Sequence, residues 1–171
     1  MNKNENYIML DGKKIPLTDE QVKQIRVDVP EKSPFDRVEN CELYWYIGAD
    51  SNVYCDNEVE SPVDYNRFKL ANYCTDKDIM KQHALHMKLN NLLWRYSMTH
   101  GGDKIDLGVF STQKYYIAYD ASHKEFYTDW NNDVKNVGVI YFGSDNIARD
   151  AIEEIVKPFI AEHPDFDLTK M

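Results

Sequence analysis

Asn72-Tyr73-Cys74-Thr75-Asp76-Lys77-Asp78-Ile79 aligns without gaps with Ile140-Tyr141-Phe142-Gly143-Ser144-Asp145-Asn146-Ile147. Each stretch reads as a strand end running into a helix start. Upstream of each lies an aromatic strand ending in Tyr-Ile, Leu43-Tyr44-Trp45-Tyr46-Ile47 in the first copy and Lys114-Tyr115-Tyr116-Ile117 in the second. The offset between copies is 68 residues at one anchor (Asn72 against Ile140) and 70 at the other (Tyr46 against Tyr116). A solenoid needs about three or more stacked units to bury a continuous core, so two copies at this period predict something else. The expected fold is α+β: two similar antiparallel sheet-plus-helix units packed as one body, preceded by a hairpin and a short helix. The divisions fall at 1–32 for the hairpin and helix, 33–98 for the first repeat and 113–171 for the second.

Working outward, Ile8 and Leu10 alternate toward Asp11-Gly12, a favoured two-residue turn, and Ile15 and Leu17 alternate on the return, which predicts a hairpin over 7–17. Thr18 with Gln21 three residues later is a capping box, so a helix starts near Asp19, with Val22 and Ile25 on one face and Pro30 ending it. In the first repeat Tyr44 and Tyr46 point to one side and Trp45 and Ile47 to the other, and both sides are apolar enough to be covered. Asp50-Ser51-Asn52 reads as a turn, Val53-Tyr54-Cys55 as the return strand, 58–64 as a loop and 65–74 as extended. Thr75 with Asp78 caps a helix running to about Met98, with Leu85, Leu89, Leu92, Leu93 and Tyr96 as its buried stripe. His100-Gly101-Gly102-Asp103 stops it. In the second repeat Asp120-Ala121-Ser122-His123 and Trp130-Asn131-Asn132-Asp133 read as turns, and Val137 to Phe142, rich in β-branched and aromatic residues, reads as a central strand. Ser144 caps the last helix, Pro158 kinks it or opens a new turn, and the chain frays after Pro164.

Net charge is −9, and the stretch from Val38 to Asn66 holds seven acids, Glu39, Glu42, Asp50, Asp56, Glu58, Glu60 and Asp64, with no Lys or Arg. That field repels phosphate backbones and argues against conventional nucleic-acid binding, while it steers the segment toward basic surfaces. The bland reading is a solvated face, acidic for solubility. Twelve tyrosines serve either as core filling or as interface contacts, among which Tyr44, Tyr46 and Tyr54 lie within the acidic stretch. No apolar run approaches the roughly 18 residues of a membrane span, and a soluble, cytoplasmic protein is expected. The three cysteines, Cys41, Cys55 and Cys74, fit no C-x-x-C spacing, so reduced thiols are expected.

Reaction chemistry is hard to find. The chain has no G-x-S-x-G elbow and no P-loop. His83 and His86 sit three apart and could meet a metal with His100, but the H-E-x-x-H pattern is absent. Cys74 near His83 suggests a nucleophile pair, set against a packed thiol that aligns with Phe142 in the other copy. Glu153 and Glu154 are adjacent on a helix and diverge. No catalytic residue, metal or cofactor is assigned.

The whole chain resembles an uncharacterised group of accessory proteins from phages, prophages and mobile elements of Gram-positive bacteria. The likeness is carried by Leu10-Asp11-Gly12-Lys13-Lys14 with Leu17-Thr18-Asp19-Glu20-Gln21, by Ser33-Pro34-Phe35-Asp36-Arg37-Val38, by the paired aromatic strands, and by Ile140 to Ser144 continuing through Ala151 to Phe159 and on to Glu162-His163-Pro164. The resemblance implies a setting in which small inhibitors of host defence, anti-CRISPR proteins among them, are common. The resulting expectation is a non-catalytic acidic binding protein, acting on a basic host protein such as a CRISPR nuclease, with the seven acids and Tyr44, Tyr46 and Tyr54 as the contact set. The alternative is a nucleic-acid accessory module using Arg67, Lys69, Lys77, Lys81 and Lys88. An enzyme with an unfamiliar site stands third.

Overall fold

The computed structural model describes residues 7–10, 12–27, 32–109, 111–132 and 135–169. Asp11, Pro30 and Asp133, and the side chain of Ile25, lie outside the described residues. The fold is α+β, with three two-stranded antiparallel sheets and helices. The chain divides into two units, Met1–Asp36 and Arg37–Met171, so Ser33 to Asp36 belong with the N-terminal hairpin and helix.

In the first unit β1 (Tyr7–Leu10) pairs with β2 (Lys13–Pro16) and leads into α1 (Asp19–Val27). The capping box forms: the Gln21 amide N–H donates to Thr18 Oγ1 at 3.3 Å, and the Thr18 N–H donates to Gln21 Oε1 at 3.0 Å.

The second unit contains both repeats. β3 (Leu43–Ile47) pairs with β4 (Val53–Asn57), and after α2 (Pro62–Lys69) comes the long α3 (Lys77–Thr99). A 3-10 turn (Gly102–Lys104) and a linker lead to β5 (Lys114–Asp120), paired with β6 (Glu125–Asn131). Then α4 (Asp145–Ala151) continues through a π-helical turn (Ile152–Val156) into α5 (Lys157–Glu162), where Pro158 sits in the first turn. The repeat aligned in the sequence is physical. Trp45 of β3 bridges Cys74, and Tyr115 of β5 bridges Phe142, the aligned residue. The residue after next caps a helix in both copies: Asp76 accepts from the Asp78 and Ile79 amides, and Ser144 from the Ile147 amide. The cap of α3 is thus Asp76 and not Thr75.

α3 is shared between the copies. Its first turns bury Met80 and Ala84 against Ile47, Cys74, Trp45 and Val53. Its later turns bury Leu89 and Leu93 against Phe142, Ala148, Ala151, Val156 and Phe159. Gly101, at φ 86°, supplies the left-handed turn that ends it.

Three further expectations are corrected. Residues 62–69 are helical, because Ser61-Pro62-Val63-Asp64 forms a capping box with Pro in the first turn. Val137 to Ile140 is not a strand; Val137 is fully exposed, and Phe142 alone bridges to β5. The chain beyond Pro164 lies along α3: Asp165 pairs with Lys81, its carbonyl accepts from Gln82, the Asp167 amide donates back to Gln82, and Phe166 packs edge-on against Phe159 and His86.

Candidate functional site

Alternation along β3 and β4 places Tyr44, Tyr46, Tyr54 and Asp56 on one face of the first hairpin and Trp45, Ile47, Val53 and Cys55 on the other. The second face packs on α3. The first is covered by α2, through one side chain above all. Arg67 lies with its guanidinium carbon 3.4 Å from the centre of the Tyr46 ring, donates to the Tyr44 hydroxyl at 2.6 Å and pairs with Asp56 at 3.0 Å.

The acids behave in two ways. Glu58 and Asp64 are buried, 1% and 2% exposed, and so is Tyr44 at 0%. Asp64 takes the Tyr44 hydroxyl at 2.6 Å, the Ser61 hydroxyl at 2.8 Å, and the Ser61 and Val59 amides at 3.0 and 3.2 Å. Burial pushes its carboxyl pKa up, but these donors together outweigh that and hold it well below the usual carboxylate range. Glu58 is gripped by Arg37 through two bonds, at 2.8 and 3.0 Å, and also takes the Tyr73 hydroxyl and the Glu60 amide. The Arg37 bond is the main reason its pKa is lowered. Tyr73 stacks on Tyr44 with ring centres 4.0 Å apart, and burial, followed by the bond to Asp64, pushes the Tyr44 hydroxyl up to about 12.

These three residues are therefore removed from the expected contact set. The physical reason is local: buried charge requires partners. Arg37 and Arg67 stand one residue outside each end of the cation-free stretch and fold back over it. That flanking pair is the signal a sequence reading should have used. Both carboxyls have folded-state pKa values below their ordinary values of 4.5 and 3.8. Their stabilisation is complete above those ordinary values and is lost as pH falls through the folded ones. We expect urea midpoints to stay flat from about pH 7 to 5 and to drop below about pH 4. The Glu58→Gln, Asp64→Asn double variant should show a shallower acid limb, and identical limbs would contradict this account.

Glu39, Glu42, Asp50, Asp56, Glu60 and Tyr54 remain exposed, spread from the base of the hairpin to its tip. Asp56 is ion-paired with Arg67, and Asp50 accepts from Tyr54 and Asn52, which pulls its pKa down to about 2. Beside them Val59 and Val63 are more than half exposed, as is Leu70 on the residue after α2. Tyr46 is half-buried beneath Arg67.

Among the described residues no strand pairs with the outer edge of β4. Trp45 uses both main-chain groups on Cys74, at 2.6 and 3.0 Å, and Ile47 uses both of its own on the Asn72 side chain, at 2.7 and 2.9 Å. Both therefore turn away from β4, and their antiparallel partners Cys55 and Val53 must direct their N–H and C=O groups outward. The Asn57 amide on that edge is occupied by the Asp56 carboxylate at 2.9 Å.

Four of the five cations of the alternative reading are engaged within the chain, and the fifth, Lys69, is exposed. Arg67 is held as described, Lys77 lies 4.8 Å from the Trp45 ring centre, Lys81 pairs with Asp165, and Lys88 approaches His163 Nε2 at 3.3 Å. Cys74 is fully buried in the core, and burial pushes its thiol up, away from a nucleophile's range. His86 packs against Phe166 and His100 against Tyr96, and among the described residues no three His, Cys, Asp or Glu side chains are grouped to hold a metal. No described helix is long and apolar enough to cross a membrane. Comparison with known proteins finds no matching family model, no similar curated protein and no similar solved structure.

Proposed function

We propose that this chain is a non-catalytic acidic binding protein of a phage or mobile element, which inhibits a host defence protein by occupying a basic nucleic-acid-binding surface, with a CRISPR nuclease as the partner. The observation that carries the reading is the division among the acids. Glu58 and Asp64 are used up inside the fold, yet Glu39, Glu42, Asp50 and Glu60 stay at the surface, as do Val59 and Val63. Exposed along one hairpin, the acids accelerate encounter with a Lys/Arg-lined groove, and the apolar residues supply contact area that loses water on docking.

The test is a DNA-cleavage and binding assay with guide-loaded CRISPR nucleases from Gram-positive hosts. Wild type should block cleavage at modest molar excess. The variant carrying Glu42→Lys, Asp50→Lys and Glu60→Lys should associate about 10–100-fold more slowly at low salt and show a weaker salt dependence. Cleavage untouched across the panel would exclude a nuclease as the partner, and equal association rates would exclude the electrostatic mechanism. A gel shift with duplex and single-stranded DNA at low salt tests the nucleic-acid alternative directly.

A further inference from the structure

The two repeats differ in one large respect. In the first, Arg67 of α2 lies over the Tyr44 and Tyr46 part of the hairpin face and pairs with Asp56, while Tyr54 stays exposed. The matching face of the second hairpin holds Tyr116 and Ala118 on β5 and Tyr127, Asp129 and Asn131 on β6. α4 packs on the opposite face, against Tyr115, Ile117 and Phe126, and Thr128 on that side bonds Asp145. The connection from β6 to Tyr141 contains no helix among its described residues; what it sets on this face is Tyr141, whose ring meets that of Tyr116 edge-on with centres 6.2 Å apart. Tyr127 is 48% exposed and Glu125 is exposed, while Tyr116 is partly exposed with its hydroxyl bonded to Asp129 at 3.0 Å.

The correspondence extends to single positions. Tyr116 stands where Tyr46 stands. Asn131 lies opposite the buried Lys114 as Asp56 lies opposite the buried Tyr44. In the first repeat the Asp56 carboxylate receives Arg67; in the second, Asn131 Oδ1 is buried and has no hydrogen-bond partner. The register position that takes an arginine in the first copy therefore receives none in the second among the described residues.

We propose that the Tyr116–Tyr127 face is a docking site for an arginine-bearing helix of a partner protein, seated as α2 is seated on the first hairpin. Charge complementarity favours a cationic helix: Asp120, Glu125 and Asp129 lie on this face. The guanidinium stacks over Tyr116 and reaches the Asp129 carboxylate, and the apolar side of the helix covers Ala118 and Tyr127. The site adds a second contact to the binding role proposed above and does not depend on the acids of the first hairpin.

The probe is an alanine-based helical peptide carrying Arg and Phe at the spacing of Arg67 and Phe68, with a twin in which Arg is replaced by Gln. Titrated into the full isotope-labelled chain, the Arg peptide should shift resonances confined to 114–131, and the Gln twin should bind about tenfold more weakly. Asp129→Lys should abolish the shifts. So should Tyr127→Lys, which leaves the Tyr116 to Asp129 bond in place and guards against a folding artefact. The variant with Glu42→Lys, Asp50→Lys and Glu60→Lys should bind the peptide as wild type does, which separates this site from the one above. No shifts at millimolar peptide, equal affinity for both peptides, shifts centred on β4, or a concentration-dependent dimer that covers this face instead would each overturn the proposal.

Discussion

Asp64→Ala is expected to destabilise the Arg37–Met171 unit by about 3–5 kcal/mol, as measured by urea unfolding. The carboxylate is 2% exposed and serves four donors at once. Its loss removes half of the capping box of α2 and strands the Tyr44 hydroxyl, the Ser61 hydroxyl and two main-chain amides in a site closed to water. Asp64→Asn should cost less, about 1–2 kcal/mol, because the amide oxygen can still accept some of these bonds. Hydrogen exchange adds a local readout: amides of α2 should exchange much faster in the Ala variant than those in the second half of α3, which packs in a different cluster. A cost below about 1 kcal/mol would mean that α2 is held by its ring contacts alone.

Lys114→Met is expected to cost about 2–4 kcal/mol in the same measurement. Lys114 is 2% exposed, and its ammonium donates to the carbonyls of Val109, Thr112 and Asn132 at 3.3, 3.3 and 3.1 Å. Three donors meet three acceptors. Methionine fills the space but leaves those oxygens without a donor, and the linker ahead of β5 loses its anchor. Faster exchange should therefore appear in 105–113 before it appears in α4. The position is the counterpart of Tyr44, so each repeat buries a polar-tipped residue at the same point of its first strand and ties a neighbouring segment to it. A second parallel supports the pairing: the Tyr73 hydroxyl accepts the Val38 amide at 3.3 Å, and its aligned partner Tyr141 accepts the Asn136 amide at 2.8 Å.

Much of this organisation was legible in the residues. The aligned stretches at 72–79 and 140–147 located both helix starts, because a strand end followed by a capping residue is a local signal. The leucine stripe of α3 marked its buried face, and Thr18 with Gln21 marked the start of α1. α2 was not legible as a helix because Tyr65 to Lys69 has no apolar periodicity; its inward side is Asp64 and Arg67, charged residues whose partners come from other elements. Val137 to Ile140 misled for the opposite reason. Strand propensity describes a fit to a pleated, half-buried surface, and no strand of the described residues offers Val137 a neighbour.

Sequence by itself determined the duplicated strand-to-helix plan, the caps of α1 and α4, the stripe of α3 and the total charge, all of which follow from spacing along the chain. Only the tertiary structure decided which acids face water. Whether a carboxylate is a surface charge or an internal acceptor depends on donors brought from 20 or more residues away, as Tyr44 is brought to Asp64 and Arg37 to Glu58. The roof over one hairpin and its absence over the other were likewise decided in three dimensions, since a face is open or closed according to what packs on it.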